Sequence, residues 1–383
     1  MKQKKDKRIL RIGVLLRDIN VLTGTALVAI STIETLRKLG FRVILLCGRK
    51  VNKERVAKNF GANLQVDKET MLPIWIHWRR VPRIQTYSEF VLASLAKPIC
   101  DIIVNPYTND LLPWVDVTYI NAPRSFLLKQ KSRNHKFWNC YYKPYHVMER
   151  LLGLRASDKL VLANSCFTAD ATKKQIGINP LVVYPPVNLK GIAYSKSNGI
   201  KKNIVLSIAT FSPVKKLERI PLIASKVNAK FFILGGVNSE ASYRKVCRLI
   251  KKCCVEDKVI IIANASHEVK MELLRKAKVF LHTSLFEPFG ISIAEGMGSG
   301  CIPVVHDSGG PREFVPYRWR YEDAEDATQK IKEALDSWSP SIAEDMKSIA
   351  YRFSKERFQN TFSRIIKSYL MKKDGSNHLL EGA

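Results

Sequence analysis

Apolar positions along this chain fall into short aliphatic runs separated by amphipathic stretches, an alternation that predicts parallel sheet covered by helices. The first run, residues 11–16, reads as a buried strand, followed by a loop at 20–24. A helix is predicted from about Thr25, with Ala26, Ala29, Ile30, Ile33 and Leu36 on one side and Gly40 closing it. Residues 41–47 form the next predicted strand. A strand–helix–strand unit of this length, with a glycine at the first turn, predicts a doubly wound sheet. Further strands are expected at 101–104, 115–120, 159–163 and 181–184, before a turn-rich linker from Pro185 to about Gly199. The second half repeats the plan, with strands expected at 204–208, 230–234, 259–262, 279–282 and 302–305. Residues 354–370 predict a closing helix carrying Phe358, Phe362, Ile365, Ile366 and Tyr369 on one face. The expected division is residues 1–190 and 200–350 as two α/β domains, 351–372 as the closing helix, and 373–383 as a disordered tail.

With 383 residues, each half is long enough to bury its own core. The eight cysteines (47, 100, 140, 166, 247, 253, 254 and 301) include no C-x-x-C pair and predict buried thiols in a reducing compartment. The basic N-terminus leads into only five apolar residues before Arg17 and Asp18, too short for an export signal. No run reaches the ~20 apolar residues of a membrane span. The longest, 90–104, is interrupted by Lys97, Pro98 and Asp101, so a cytoplasmic protein is expected.

Candidate chemistry concentrates at 282–313. The predicted strand ending at His282 is broken by Pro288 and Gly290, and a helix follows from about Ile291 until the glycines near Gly300. Glu287 therefore falls on the strand-to-helix loop, and Glu295 just over one turn inside the helix. Backbone N–H groups around Phe289 and Gly290 suit a phosphate or a hydroxyl, and two flanking carboxylates suit the hydroxyls of a sugar and a ribose. The string Glu287-Pro288-Phe289-Gly290, Glu295, Gly300, Pro303, Ser308-Gly309-Gly310 and Glu313 resembles the donor site of the family 4 retaining glycosyltransferases. Within that family the phrasing is most similar to the mannosyltransferases that extend lipid-linked oligosaccharides on the cytosolic membrane face.

The resemblance implies the GT-B fold, two Rossmann-like domains facing each other across a cleft, with the last helix packed back on the N-terminal domain. It implies retaining transfer of a hexose, mannose or glucose, from a nucleoside-diphosphate sugar to a lipid-linked glycan. Lys215 matches the family's lysine on the donor pyrophosphate, where a point charge suits a phosphate. The family's arginine falls on uncharged Thr210, with Lys216 and Arg219 nearby. Asn121 stands where related enzymes carry a histidine; an amide can hydrogen-bond a sugar but shuttles no proton at neutral pH. Gly24 corresponds to the glycine-bearing first loop, Gly235-Gly236 to the equivalent loop of the second domain, and 264–268 to the segment holding the base. Glu287, Lys215 and Asn121 are thus the expected catalytic residues. Gly24, Lys215, Gly235, Glu287, Phe289, Gly290 and Glu295 are the expected donor-binding ones. No Asp-x-Asp occurs, so metal-independent transfer without a cofactor is expected.

A formal net charge of +29 and an isoelectric point near 9.8 imply an anionic partner surface. No acid lies between Asp116 and Glu149. That stretch holds Arg124, Lys129, Lys131, Arg133, Lys136 and Lys143 among Phe126, Phe137, Trp138, Tyr141, Tyr142 and Tyr145. Trp75, Trp78, Arg79 and Arg80 form a smaller patch of the same kind. Basic residues mixed with Trp and Tyr suit an anionic membrane interface, and so predict peripheral association with the cytoplasmic face. A nucleic-acid-binding protein would share the charge, but no nucleic-acid module is recognisable. A non-catalytic glycosyltransferase-like partner subunit would account for Thr210 and Asn121.

Overall fold

A computed structural model describes residues 9–16, 18–20, 23–60, 64–71, 82–109, 111–122, 159–189 and 201–374. The chain divides into two compact units, one of residues 1–186 with 356–383, the other of residues 187–355.

The first unit holds seven parallel strands in the order β3-β2-β1-β4-β5-β6-β7. These are β1 (Arg11–Leu16), β2 (Arg42–Cys47), β3 (Lys68–Met71), β4 (Ile102–Asn105), β5 (Val117–Ile120), β6 (Leu160–Ala163) and β7 (Leu181–Val182). Between β1 and β2 runs α1 (Gly24–Lys38). Thr23 caps it by accepting from the Ala26 N–H, and Gly40 leaves it at φ 81°, a backbone that glycine adopts without strain. The described helices continue with α2 (Lys53–Phe60), α3 (Pro82–Ala96) and α4 (Cys166–Ile176). The apolar run at 90–104 is thus the end of α3, a turn and β4, interrupted where Lys97, Pro98 and Asp101 predicted a break. Among the described residues no helix is long and apolar enough to cross a membrane.

Strand β5 starts two residues later than its apolar pattern, because the Asp116 carboxylate accepts the Ile103 N–H at 2.8 Å. Strand β7 is only two residues long, and Pro185 and Pro186 follow with no N–H to offer a ladder. The sequence pattern did not single out β3. It is a polar edge strand, Lys-Glu-Thr-Met, without an aliphatic run.

The second unit has six parallel strands ordered β10-β9-β8-β11-β12-β13. They are β8 (Lys202–Ile208), β9 (Lys230–Gly235), β10 (Val259–Ala263), β11 (Ala277–His282), β12 (Ile302–His306) and the two-residue β13 (Arg320–Tyr321). Its helices are α5 (Ile220–Ala224), α6 (Glu240–Lys252), α7 (His267–Lys276), α8 (Ile291–Gly298), α9 (Ala324–Ser337) and α10 (Pro340–Tyr351). Gly296 lies inside α8 because a Cβ there would stand 2.6 Å from the Phe280 ring, so this glycine lets the helix pack on β11.

The final helix, α11, spans Lys355–Asp374, starting one residue later and ending four residues later than its periodicity indicates. Ser354 is taken up in a bridge to Val187. Phe358, Phe362, Ile366 and Leu370 are buried in the core of the first unit, with Ile12, Val14, Val28 and Val104. Gln359 accepts from Lys38 Nζ at 2.7 Å and donates to Glu34 at 3.1 Å, fixing the helix against α1. The basic-aromatic stretch at 123–148, the Trp75–Arg80 patch, most of the predicted linker and the tail from 375 lie outside the described residues.

Candidate active site

In both sheets the strand order reverses beside the first strand, between β1 and β4 and between β8 and β11. Ligands of doubly wound sheets bind beyond the carboxyl ends of the strands at such a switch point. In the second unit the two flanking loops carry the expected chemistry. Lys215 follows β8, and Glu287 follows β11.

Lys215 Nζ lies 2.6 Å from Glu287 Oε2. Their side chains are 23% and 13% exposed, so the pair is largely removed from solvent yet open to a ligand. The two loops are stitched by side chains donating to backbone: Thr283 Oγ1 to the Lys215 carbonyl at 2.6 Å, and Ser284 Oγ to that of Val214 at 3.1 Å. Beneath them His282, 3% exposed at the end of β11, places Nε2 3.5 Å from the same Glu287 oxygen. Burial pushes the His282 imidazole down to about 4, against the opposing pull of Glu287. It is therefore neutral at pH 7, and its contact with Glu287 is a polar one rather than an ion pair. Burial acts to raise the Glu287 carboxyl, but the Lys215 charge, His282 and the Lys215 hydrogen bond together bring it down to about 2. Glu287 is ionised at neutral pH, so it accepts hydrogen bonds and donates none.

The glycines behind Glu287 are required by contact. Gly309 has φ 73°, and a Cβ on it would stand 2.3 Å from the Glu287 carbonyl oxygen. A Cβ on Gly310 would stand 2.0 Å from the Pro288 carbonyl, and the Gly310 N–H donates to the Glu287 carbonyl at 2.8 Å. Ser308 Oγ accepts the Phe286 N–H and meets His306 Nδ1, each at 2.8 Å. Glu313 ends the short helical turn Gly310–Glu313 that follows.

Glu295 sits on α8, 8% exposed, and a different cation holds it: Lys270 Nζ, from the first turns of α7, at 2.7 Å. The segment at 264–268 leads into that helix, where Ser266 Oγ accepts the Val269 N–H at 3.3 Å. The two glutamates therefore occupy separate, separately charged positions.

Other expected residues are placed differently from their sequence reading. The Phe289 side chain is 2% exposed, its ring packed 5.1 Å from that of Phe314 and 5.0 Å from that of Phe353. Any part it takes in binding is through its backbone. Gly290 has φ 92° and caps α8 from a left-handed conformation. Gly235, expected to let a nucleotide approach, makes room for protein: a Cβ there would stand 1.9 Å from the Ala209 carbonyl oxygen. Gly236 is the more open of the two, its nearest atom being Asn264 Oδ1 at 3.5 Å from a Cβ. Thr210 adds no charge. Arg219 places its charge near the Tyr321 hydroxyl, which donates to the His282 carbonyl at 3.1 Å and so braces the strand ends.

Gly24 and Asn121 belong to the first unit. Gly24 is the exposed first residue of α1. Asn121 ends β5, its Nδ2 donating to the Pro106 carbonyl at 3.2 Å and its carbonyl accepting from Asn164 Nδ2 at 2.7 Å. Its backbone N–H donates to Asn109 Oδ1 at 2.7 Å, so this turn is hydrogen-bonded on three sides. Sequence reasoning missed Lys270 and His282. His282 had a signal, a titratable residue at the end of a buried strand directly before the glutamate loop. Lys270 had none, since its partner lies on another helix.

Residues 192–353 match the family model described as Glycosyl transferases group 1. The match spans nearly the whole of the second unit. The chain is 32% identical over 258 residues to a GDP-Man:Man(3)GlcNAc(2)-PP-Dol alpha-1,2-mannosyltransferase of Dictyostelium discoideum, covering 59% of this chain and 50% of that protein. It is 25% identical over 247 residues to the Homo sapiens protein of the same description, covering 57% and 50%. The chain thus spans about half the length of these relatives. Among solved structures it is similar to a glycosyltransferase from Rickettsia africae, with TM-score 0.68 and 18% identity over 95% of this chain and 99% of that one. It is also similar to WaaG, a glycosyltransferase involved in lipopolysaccharide biosynthesis, with TM-score 0.71 and 15% identity over 93% and 99%. These likenesses establish the fold: two doubly wound α/β domains of the GT-B class.

Proposed function

We propose that this chain transfers a mannosyl group from GDP-mannose to a lipid-linked glycan, with retention of configuration at the anomeric carbon. The observation that carries the proposal is the Lys215–Glu287 pair at the switch point of a group 1 glycosyltransferase domain. The identity of donor and acceptor comes from the relatives named above, and retention from the family resemblance.

Breaking the bond between sugar and diphosphate leaves growing negative charge on the β-phosphate. A fixed cation at that position lowers the barrier. Lys215 is the cation of the switch-point loops. When a diphosphate arrives, Lys215 turns part of its interaction from Glu287 to phosphate, and Glu287 becomes available to the hydroxyls of the transferred sugar. Glu295, held by Lys270, receives the ribose. Asn121, in the first unit, has an amide that can hydrogen-bond a sugar but transfers no proton. The acceptor is lipid-linked, so the protein works peripherally at an anionic membrane surface on its cytoplasmic face.

Two variants test the assignment. Charged hydrogen bonds contribute about 1.5–3 kcal/mol each, so Glu295→Ala should weaken GDP binding roughly 10- to 100-fold. Glu287→Ala should leave GDP binding nearly intact while lowering kcat. Equal loss of GDP affinity in both would show the two roles wrongly divided. Thermal shifts with GDP-, UDP- and ADP-sugars identify the donor, a ligand at 100 times its Kd adding ~2.7 kcal/mol of stability. An NMR assignment of a β-linked product from an α-linked donor would overturn retention. Sedimentation with anionic but not neutral liposomes is the result expected for the membrane.

A further inference from the structure

The Lys215–Glu287 pair is flanked by two residues in left-handed backbone, Lys216 at φ 50° and Phe286 at φ 52°. For a bulky, non-glycine residue this conformation is a genuine outlier. Phe286 carries a second cost: its side chain is 51% exposed, although it is one of the largest apolar groups of the second unit. An aromatic residue that is strained and uncovered at once gains nothing for the fold by being there.

The loop prevents escape from either cost. The Phe286 N–H is held by Ser308 Oγ, which His306 holds in turn. Gly309 packs so closely that a Cβ on it would stand 2.8 Å from the Phe286 carbonyl carbon. On the other side Ser284 and Thr283 are tied to the loop of Lys215. The ring is therefore presented from a rigid support, one residue from a carboxylate that accepts hydroxyl hydrogen bonds. Strain maintained by its surroundings clusters at ligand sites.

We propose that Phe286 is a sugar-binding residue, its exposed ring receiving the apolar face of a hexopyranose whose hydroxyls are held by the polar groups alongside. An aromatic face is electron-rich and attracts the weakly positive C–H groups that line one side of a pyranose. This rests on the glycosyl-transfer reading and extends it to a residue with no charge. The ring takes either the transferred sugar or the terminal sugar of the acceptor, which share this chemistry.

The test is Phe286→Gly against Phe286→Tyr in the full chain. Glycine removes both costs, so F286G should raise the unfolding midpoint by about 2–4 °C. The same variant should lower kcat/KM about 10- to 100-fold, while F286Y, which retains a ring, recovers most of the activity. A structural residue would move stability and activity together; this one should move them in opposite directions. If the ring holds the donor sugar, F286G weakens GDP-mannose binding and spares GDP. If it holds the acceptor, donor affinity is unchanged and the acceptor KM rises. A fully active F286G beside an active wild type, or a lowered midpoint, overturns the proposal alone. A wild type that binds no sugar nucleotide overturns the glycosyl-transfer reading and this with it.

Discussion

Replacing Lys215 by methionine should damage the fold more than replacing its partner by glutamine, and the asymmetry can be worked from the site. Glu287 sits near 2 in the folded protein against an ordinary value of about 4.3. A depressed carboxyl contributes stability that is complete above the unfolded value and is lost as pH falls through the folded one. Two pH units of depression correspond to about 3 kcal/mol. Burial alone would push Glu287 the other way, and Lys215 is the largest influence reversing it. Lys215→Met leaves a buried carboxylate without its cation, a loss of about 3–5 kcal/mol in comparable buried pairs. For a domain of this size that lowers the midpoint by roughly 6–15 °C. Glu287→Gln instead leaves an ammonium whose side chain is 23% exposed and can reach water, at a cost of about 1 kcal/mol. The double variant should be more stable than K215M alone. The pH dependence should also reverse. In K215M the Glu287 carboxyl rises above its unfolded value, so stability is gained below that value and lost as pH rises through the folded one. Urea unfolding of the four proteins between pH 2 and 8 measures both effects. An E287Q variant as unstable as K215M, or a K215M profile parallel to wild type, would refute the reasoning.

Three further outcomes follow from neighbouring contacts. Lys270→Met should lower GDP affinity about tenfold and reduce discrimination between GDP and its 2′,3′-dideoxy analogue, both read by calorimetry, because Lys270 fixes Glu295, the carboxylate proposed to receive the ribose. His282→Asn should flatten the stability profile between pH 6.5 and 4 in unfolding titrations. A buried imidazole depressed to about 4 contributes stability above 6.5 that is lost as pH falls toward 4. Gly309→Ala should cost at least about 2 kcal/mol in denaturant unfolding and abolish transfer, since its Cβ would meet the Glu287 carbonyl at 2.3 Å in a backbone with φ 73°.

The parallel sheets were legible because their central strands are buried on both faces and therefore appear as unbroken aliphatic runs. β1 matches its predicted span residue for residue, and β8, β9 and β12 differ only at their ends. The strands that escaped notice, Lys68–Met71 and Arg320–Tyr321, lie at sheet edges, where one partner suffices, and neither carries an aliphatic run. Their existence is decided by neighbours distant in sequence: β3 by pairing with β2, and β13 by pairing with β12. Helix α11 shows the same limit from another side. Its apolar face was visible, but Met371, Lys372 and Lys373 in its last turn are exposed and carry no periodic signal.

Within the site, the glutamates were visible because glycine and proline punctuate a strand-to-helix junction around them. Their counter-ions were visible only where the same reasoning applied. Lys215 stands in a loop after a strand, whereas Lys270 looks like any lysine on an amphipathic helix. What separates these two cations is the sheet order. Strands β8 and β11 are neighbours, so the loops bearing Lys215 and Glu287 must meet, whatever their sequence. Lys270 reaches Glu295 only because α7 follows the edge strand β10 and leads back to the centre of the sheet. The proposed transfer puts one acid at the sugar and another at the ribose, and the doubly wound topology supplies a separate basic partner for each. Lys215 keeps Glu287 ionised while largely buried, as an acceptor of hydroxyl hydrogen bonds must be. The two cations are also not interchangeable: Lys215 serves the carboxylate on the strand-to-helix loop and Lys270 the one inside α8, so the proposed transfer draws on each at a different point of the donor.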